Sequence, residues 1–230
     1  MTRIRIGELV GGSVLELARQ LGGRIEKVSF GHGTPLIEAA MIQDVSYVPS
    51  ALAEGQSIQV VGNRHLPVEA GFDEFTAGFV RQTLLEQGLT ELPEWAETID
   101  GPVCILGNVF SRNFCHWHEE LMKVIALERT SYECNYVIAK LPAFAKELLG
   151  LIGIAPERIL EIERPVRFRA ALFTTAVSYH NVAGYPGVLF GLRERLLASE
   201  CCRKPETGPR FWLVAGQYNR LGRSCSNRQS

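Results

Sequence analysis

The sequence predicts an α/β fold built on a mostly parallel sheet, with an irregular α+β region in front of it. Three observations point this way. From Gly101 onward, short apolar runs alternate with stretches of helical length and periodicity, the pattern of strands joined by crossover helices. Ahead of residue 95 the apolar runs are broken by Gly, Pro and Asn and keep no such rhythm. Near Leu92 and Pro93 one texture gives way to the other. Together they set out an irregular α+β region at 1–95 and a Rossmann-like α/β domain at 96–200. Residues 201–230 form either a tail or the start of a further domain.

Each element can be justified in turn. In the first region, apolar stretches at 25–30, 45–48 and 58–61 alternate with turn residues. Residues 9–21 suit an amphipathic helix weakened by Gly11 and Gly12, and 75–87 suit a stronger one. Val103-Cys104-Ile105-Leu106 is a strand ended by Gly107, and a helix over 114–129 follows it. Residues 136–139 are the next strand. Pro142 fits the first turn of a helix that runs through Ile152 and stops at Gly153. Residues 159–162 and 166–174 are further strands. Over 186–199, Val188, Leu189, Leu192, Leu196 and Leu197 recur at helical spacing. A strand at 211–214 then either closes the first sheet or opens a second domain.

Composition narrows the function classes. The 230 residues carry a formal charge of -1, and a general nucleic-acid binder needs a clustered positive surface instead. The segment from Cys201 is the exception, with Arg203, Lys204, Arg210, Arg220, Arg223 and Arg228 against Glu206; it reads as a solvated tail or as a place for an anionic ligand. Apolar runs stop well short of the roughly 18 residues that a membrane span requires. No small-residue cleavage site follows Arg3 and Arg5, so no secretory signal is expected. The six cysteines include no C-x-x-C pair or zinc-like spacing, which suits reduced thiols in a cytoplasmic setting.

The densest chemistry is Asn113-Phe114-Cys115-His116-Trp117-His118-Glu119-Glu120, between a strand end and a helix start. Ligands of α/β sheets bind there, because loops at the carboxyl ends of strands form the crevice and helix N-termini offer unpaired N–H groups. His116 and Glu120 are four residues apart and share a helical face, with Lys123 beside them. A carboxylate so placed can orient an imidazole for general-base work, although the same spacing also makes surface ion pairs. Asn113 or Ser111 could cap the helix, and Glu119 and Glu120 suit its dipole. Trp117, Leu121, Val124 and Ile125 share the face expected to enter the core. Cys115 reads as a structural thiol rather than a nucleophile, and no metal-ligand pattern is present. Gly31-His32-Gly33 reads as an ordinary turn, and Arg167 and Arg169 as the polar face of an alternating strand.

Several blocks in order resemble family 61 glycosyltransferases, the capsular-polysaccharide type. Asn113-Phe114-Cys115-His116-Trp117 resembles that family's N-Y-F-H-W block. Pro142-Ala143-Phe144 with Glu147-Leu148-Leu149, then Leu151-Ile152-Gly153-Ile154 with Arg158-Ile159, resembles its P-F-x-x-E-L-L-x-x-L-G-I-x-x-x-R-I stretch, and the helix at 192–197 also fits. The resemblance covers roughly the last half of the chain. It implies the N-terminal, acceptor-side half of a GT-B enzyme, in which two Rossmann-like domains enclose the active site and no metal or other cofactor is required. It implies a nucleotide-sugar donor as co-substrate, a glycan or lipid-linked acceptor, and no nucleic acid. It also implies a cytoplasmic setting that allows peripheral membrane association. His116 is then the base, Glu120 its orienter, and Asn113, Trp117 and His118 acceptor-binding residues. Arg223 and Asn227 match the family's R-x-x-x-N element on the donor side. Phe211-Trp212-Leu213-Val214-Ala215-Gly216 stands where the family has I-Y-I-S-R, and the later H-G-A-G-like block has no counterpart, so the chain is expected to stop before most of the donor half. The rival expectation is a non-catalytic α/β module that binds a glycan or a protein.

Overall fold

A computed structural model describes residues 10–31, 33–53, 56–62, 65–68, 82, 97–107, 117–139, 144–179, 183–199, 212–215 and 225–228. Along the chain run β1 (Val10–Ser13), α1 (Val14–Gln20), β2 (Arg24–Val28), β3 (Ile37–Ala53), β4 (Gln56–Val61), β5 (His65–Val68) and β6 (Thr98–Ile105). Then come α2 (Trp117–Leu127), β7 (Asn135–Ala139), α3 (Phe144–Leu151), β8 (Ile159–Ile162), β9 (Val166–Thr174), β10 (Ser178–Tyr179), β11 (Ala183–Gly184) and α4 (Pro186–Ala198). The last two are β12 (Trp212–Ala215) and β13 (Cys225–Arg228).

Nine strands form one sheet in the order β1-β5-β4-β3-β9-β6-β7-β8, with β2 also paired to β3. The fold is therefore α/β with parallel strands, but the sheet is mixed rather than mostly parallel. Parallel pairing is confined to β1–β5 and the block β9–β6–β7–β8, and the remaining pairs are antiparallel. The reason is connection length: β3, β4 and β5 follow one another through short links, which can only turn the chain back on itself. The boundary near residue 95 does not divide the sheet, since β3 hydrogen-bonds directly to β9 over Ala39–Tyr47.

Residues 9–21 do not make one helix. Val10–Ser13 extend alongside His65–Val68, and the helix starts only at Val14. Gly11 and Gly12 carry the helix penalty that glycine incurs, while Ser13 is a good N-cap, its Oγ accepting from Glu16 N at 3.2 Å. β2, β4, β7, β8, β9 and the three helices α2, α3 and α4 fall where periodicity put them, to within a few residues; β3 runs over Ile37–Ala53 where only 45–48 was expected, β6 starts at Thr98 rather than Val103, and β5, β10, β11 and β13 were not anticipated. At the end of α3, Gly153 has φ 84°, and Ile154 N donates to Leu149 O while Gly153 N donates to Gly150 O. These are the two bonds of a Schellman stop. The expected helix at 75–87 lies outside the described residues apart from Gln82. The strand expected at 211–214 is seen as β12, which does not close the large sheet; it pairs with β13 in a separate antiparallel ladder.

Both faces of the sheet are covered, and period-two alternation divides the side chains between two cores. Cys104, Leu106, Tyr136, Ile138 and Leu172 point to the face that carries α2, α3 and α4. Val103, Ile105, Val137, Ala171 and Phe173 point to the opposite face, where α1 packs. The alternation slips by one residue along a single row. Ile42 and Val45 share a face although three apart, with Asp44 at φ 55° between them. Phe168 and Ala171 do the same in β9, and β6 shifts register beside Gly101, at φ 86°. Bulges of this sort bend strands, so three neighbouring strands turn together here. Arg169 and Asp100 close the row on the outside through a 2.6 Å ion pair.

The edge strand β2 is tied to the turn after α2. Ser131 N donates to Glu26 Oε2 at 2.8 Å, Arg24 Nη2 reaches Glu26 Oε1 at 2.6 Å, and Tyr132 Oη donates to Arg24 O at 3.0 Å. The Ser131 backbone bond, then its hydroxyl, then the Arg24 charge hold the Glu26 carboxyl below its ordinary value.

Candidate functional site

The carboxyl ends of β6 and β7 lie side by side, with Leu106 N donating to Val137 O at 2.8 Å. Gly107 then turns the chain at φ 94°, and its carbonyl accepts from Ser57 Oγ at 3.4 Å. The connection from β6 enters α2 at Trp117, which puts the first turns of α2 in the region where α/β sheets bind ligands.

Among the residues that α2 presents, Trp117 is fully buried and meets Phe144 edge-on, with ring centroids 6.1 Å apart at 87°. An indole packed on all sides has no face left to stack on a sugar, so Trp117 is a core residue and the substrate-binding role expected for it does not fit. His118 is half-buried. Glu120 is 1% exposed and Lys123 5% exposed, and Lys123 Nζ lies 3.2 Å from each Glu120 carboxylate oxygen. Glu119, one residue earlier, is equally buried.

On a helical projection Glu119, Glu120 and Lys123 form a stripe next to that of Trp117, Leu121 and Val124, and both stripes are buried. The polar side of α2 is therefore inside the molecule. Glu120 and Lys123 are thus a buried pair and not a surface one. Lys123 is the residue that sequence reasoning left without a role, and the signal was present, because Glu and Lys three apart on a helix are neighbours. A carboxylate has roughly four lone-pair positions, so two contacts from Lys123 leave Glu120 able to accept further bonds.

The remaining expected site residues are distributed as follows. Asn113, His116 and Arg223 lie outside the described residues. Asn227 sits in β13 opposite Leu213, in the two-stranded ladder and not in the large sheet. Trp117, His118 and Glu120 thus all lie in the first turn of α2, with His118 projecting on a different side from Trp117 and Glu120. Among the described residues, no three His, Cys, Asp or Glu side chains are grouped to hold a metal ion, and no helix is long and apolar enough to cross a membrane.

Two clefts open away from this region. One, of about 710 Å³, lies between the last turns of α3 and α4, beside Glu147, Gly153 and Arg195. The other, of about 490 Å³, lies at the far end of α2, beside Glu128, Tyr132, Glu133, Arg158 and Arg195. Arg158 stacks over the Tyr136 ring at 5.1 Å and donates to Cys134 O at 2.6 Å, while Arg195 pairs with Glu128. Burial pushes the Cys134 thiol up to about 11 and the Tyr136 phenol well above its ordinary value, so neither is poised as a base or nucleophile. Two arginines against two glutamates leave this second cleft without the net charge that would select an ion. It also faces the amino ends of the parallel strands, opposite the usual binding edge. The start of α2 remains the candidate site. Set beside known proteins, the chain matches no protein-family model, no curated protein and no solved structure.

Proposed function

We propose that this chain is the acceptor-side half of a glycosyltransferase of the family 61 type, transferring a sugar from a nucleotide-sugar donor to a glycan or lipid-linked acceptor. The observation that carries the reading is the buried Glu120–Lys123 pair in the first turns of α2, directly beyond the carboxyl end of β6. A buried ion pair costs several kcal/mol of desolvation and is a weak way to gain stability, so its presence beneath a binding edge favours a functional reason. Here Lys123 holds Glu120 in place, and the carboxylate orients the imidazole of His116, four residues earlier. The imidazole removes the acceptor hydroxyl proton as that oxygen attacks the donor sugar, and the diphosphate leaves. Asn113 and His118 line the acceptor side, and Arg223 and Asn227 serve the diphosphate. The parallel block β9–β6–β7–β8 with α2 and α3 supports a Rossmann-like half, and a nucleotide-sugar chemistry suits a cytoplasmic protein.

The second reading, a non-catalytic α/β module that binds a glycan or a protein, is favoured by one observation: Trp117 is wholly in the core, so one expected sugar contact is lost. The two are separated by incubating the purified chain with radiolabelled nucleotide sugars and a panel of glycan acceptors, alongside calorimetric titration of each ligand. The transferase reading expects saturable binding of a donor or acceptor that weakens at least about ten-fold, roughly 1.4 kcal/mol, in His116→Ala. Glycan binding that is indifferent to His116→Ala and accompanied by no transfer would assign the chain to the binding module. No binding of any sugar ligand would sink the transferase reading.

A further inference from the structure

Ser46 and Arg167 stand directly opposite each other on β3 and β9. Val45, Tyr47, Val166 and Phe168, on either side of them, belong to the core beneath α1, so alternation turns Ser46 and Arg167 to the other face of the sheet. Arg167 N donates to Glu97 O at 2.9 Å, toward β6, which makes Ser46 and Arg167 a non-hydrogen-bonded pair across β3 and β9. In such a pair the Cβ atoms lie about 5 Å apart and the two side chains share one space. Beside Ser46 on that face are Val60, its partner on β4, and the next pair, Val48 and Ile58, all at most 5% exposed.

Among the described residues, neither the buried Ser46 hydroxyl nor the buried Nε of Arg167 has a hydrogen-bond partner. Arg169, two residues further along β9, has Asp100 as its counter-ion, whereas Arg167 has none among the described residues. A guanidinium cannot shed its proton to escape this position, so the charge stays and its donors go unmatched. The apolar wall of Val48, Ile58 and Val60 lowers the dielectric beside it, which strengthens its pull on an anion. Arg167 as a whole is only half-buried, which leaves an approach from solvent.

We propose that Ser46 and Arg167 form a binding site for a small oxyanion, a phosphate or sulfate group. The arginine fork takes two oxygens of such a group and the hydroxyl donates to a third. A carboxylate has no third oxygen and fits less well. The site lies at the amino end of β6, beside Thr98, and the length of β6 puts about 20 Å between it and the start of α2. It is separate from the candidate site, and the inference stands independently of the proposed activity.

Calorimetric titration of the full chain with sodium phosphate and sodium sulfate tests it, against sodium acetate and against sodium chloride at matched ionic strength, with thermal melts in the same buffers. The wild-type chain is expected to bind phosphate or sulfate at one site with a dissociation constant of about 1 mM or below. Arg167→Met is expected to abolish that binding, Arg167→Lys, which keeps the charge and loses the fork, to weaken it about ten-fold, and Ser46→Ala about three-fold or more. In chloride alone, Arg167→Met is expected to melt no lower than the wild type, because it removes a charge that the fold leaves unmatched. A wild-type chain that binds neither oxyanion overturns the proposal, as does binding indifferent to Arg167→Lys and Ser46→Ala. Acetate binding as tight as that of phosphate overturns it too. A rise in melting temperature equal in the wild type and Arg167→Met is the general exclusion effect of these salts and counts against the site. An Arg167→Met chain that melts well below the wild type in chloride shows that the fold itself pairs the guanidinium, and likewise overturns it.

Discussion

Helices α2 and α4 are of similar length, lie on the same face of the sheet and touch each other, yet they treat charge and apolarity in opposite ways. α2 is buried along its whole length except His118, although three of its eleven residues are charged. α4 is largely exposed, although its outer stripe is mostly Leu, Phe and Pro. Both helices carry three charged residues, which α2 holds inside and α4 leaves at the surface. Burial here follows position in the topology: α2 joins two adjacent parallel strands, β6 and β7, and must lie across them. α4 follows the last strand of the large sheet and packs on α2 as an outer layer. The buried charges of α2 are the feature that folding alone does not call for, and they are the basis of the proposed site.

The largest test of this contrast is to remove one charge from α2. Lys123→Met leaves Glu120 buried without its cation and is expected to cost about 3–5 kcal/mol in urea unfolding. Replacing both residues, Glu120→Leu with Lys123→Met, is expected to recover most of that loss. If Lys123→Met costs less than about 1 kcal/mol, the pair is not held in a low-dielectric site and the contrast between the helices collapses.

A smaller effect probes the inner side of α4. A Cβ at Gly187 would come within 2.6 Å of Thr34 Oγ1 and 2.7 Å of Phe30 Cβ, and Gly187 N donates to that same hydroxyl at 2.7 Å. Gly187→Ala is therefore expected to destabilise by about 1–3 kcal/mol through overpacking. Gly150 in α3 has open space around its Cβ position, and Gly150→Ala is expected to stabilise by about 0.5–1 kcal/mol through helix propensity. Equal responses at the two sites in thermal melts would show that α4 is not seated tightly on its inner side.

The smallest effect lies at the turn that ends α2. Glu26 has a depressed value in the folded state, so the unfolded chain binds the extra proton. The stability it adds is complete above its ordinary value of 4.5 and is lost as pH falls through the lower folded value. Because the group is exposed, solvent screening keeps the contribution at the level of a surface pair, under about 1 kcal/mol. Urea midpoints measured between neutral and acidic pH are expected to fall less steeply in Glu26→Gln than in the wild type; parallel curves would remove Glu26 from the latch.

Much of the fold was legible in residue order. The strands at 159–162 and 166–174 and the helix from Pro186 were placed by their apolar runs and the spacing of their apolar residues. Gly153 and Pro186 marked their boundaries through backbone geometry that neighbours cannot alter. Across 9–21 a helical rhythm, weakened by Gly11 and Gly12, concealed a strand whose partner, His65–Val68, lies 55 residues further on. Of the candidate site, sequence located the segment and the right helix. It left Lys123 without a role, and it put Trp117 on the core-facing side of the helix although the family resemblance implied a sugar contact there.

What the sequence by itself determined is local: which stretches are strands or helices, where glycine and proline end them, and which side of each helix is apolar. Those depend on side-chain periodicity and backbone sterics, which act over a few residues. Only the tertiary structure decided that β3 joins the two halves into one mixed sheet and that the polar side of α2 faces inward with Glu120 held by Lys123. These outcomes are set by which elements lie against one another. Burial and the dielectric around a charge belong to that packing and not to the residue that bears it.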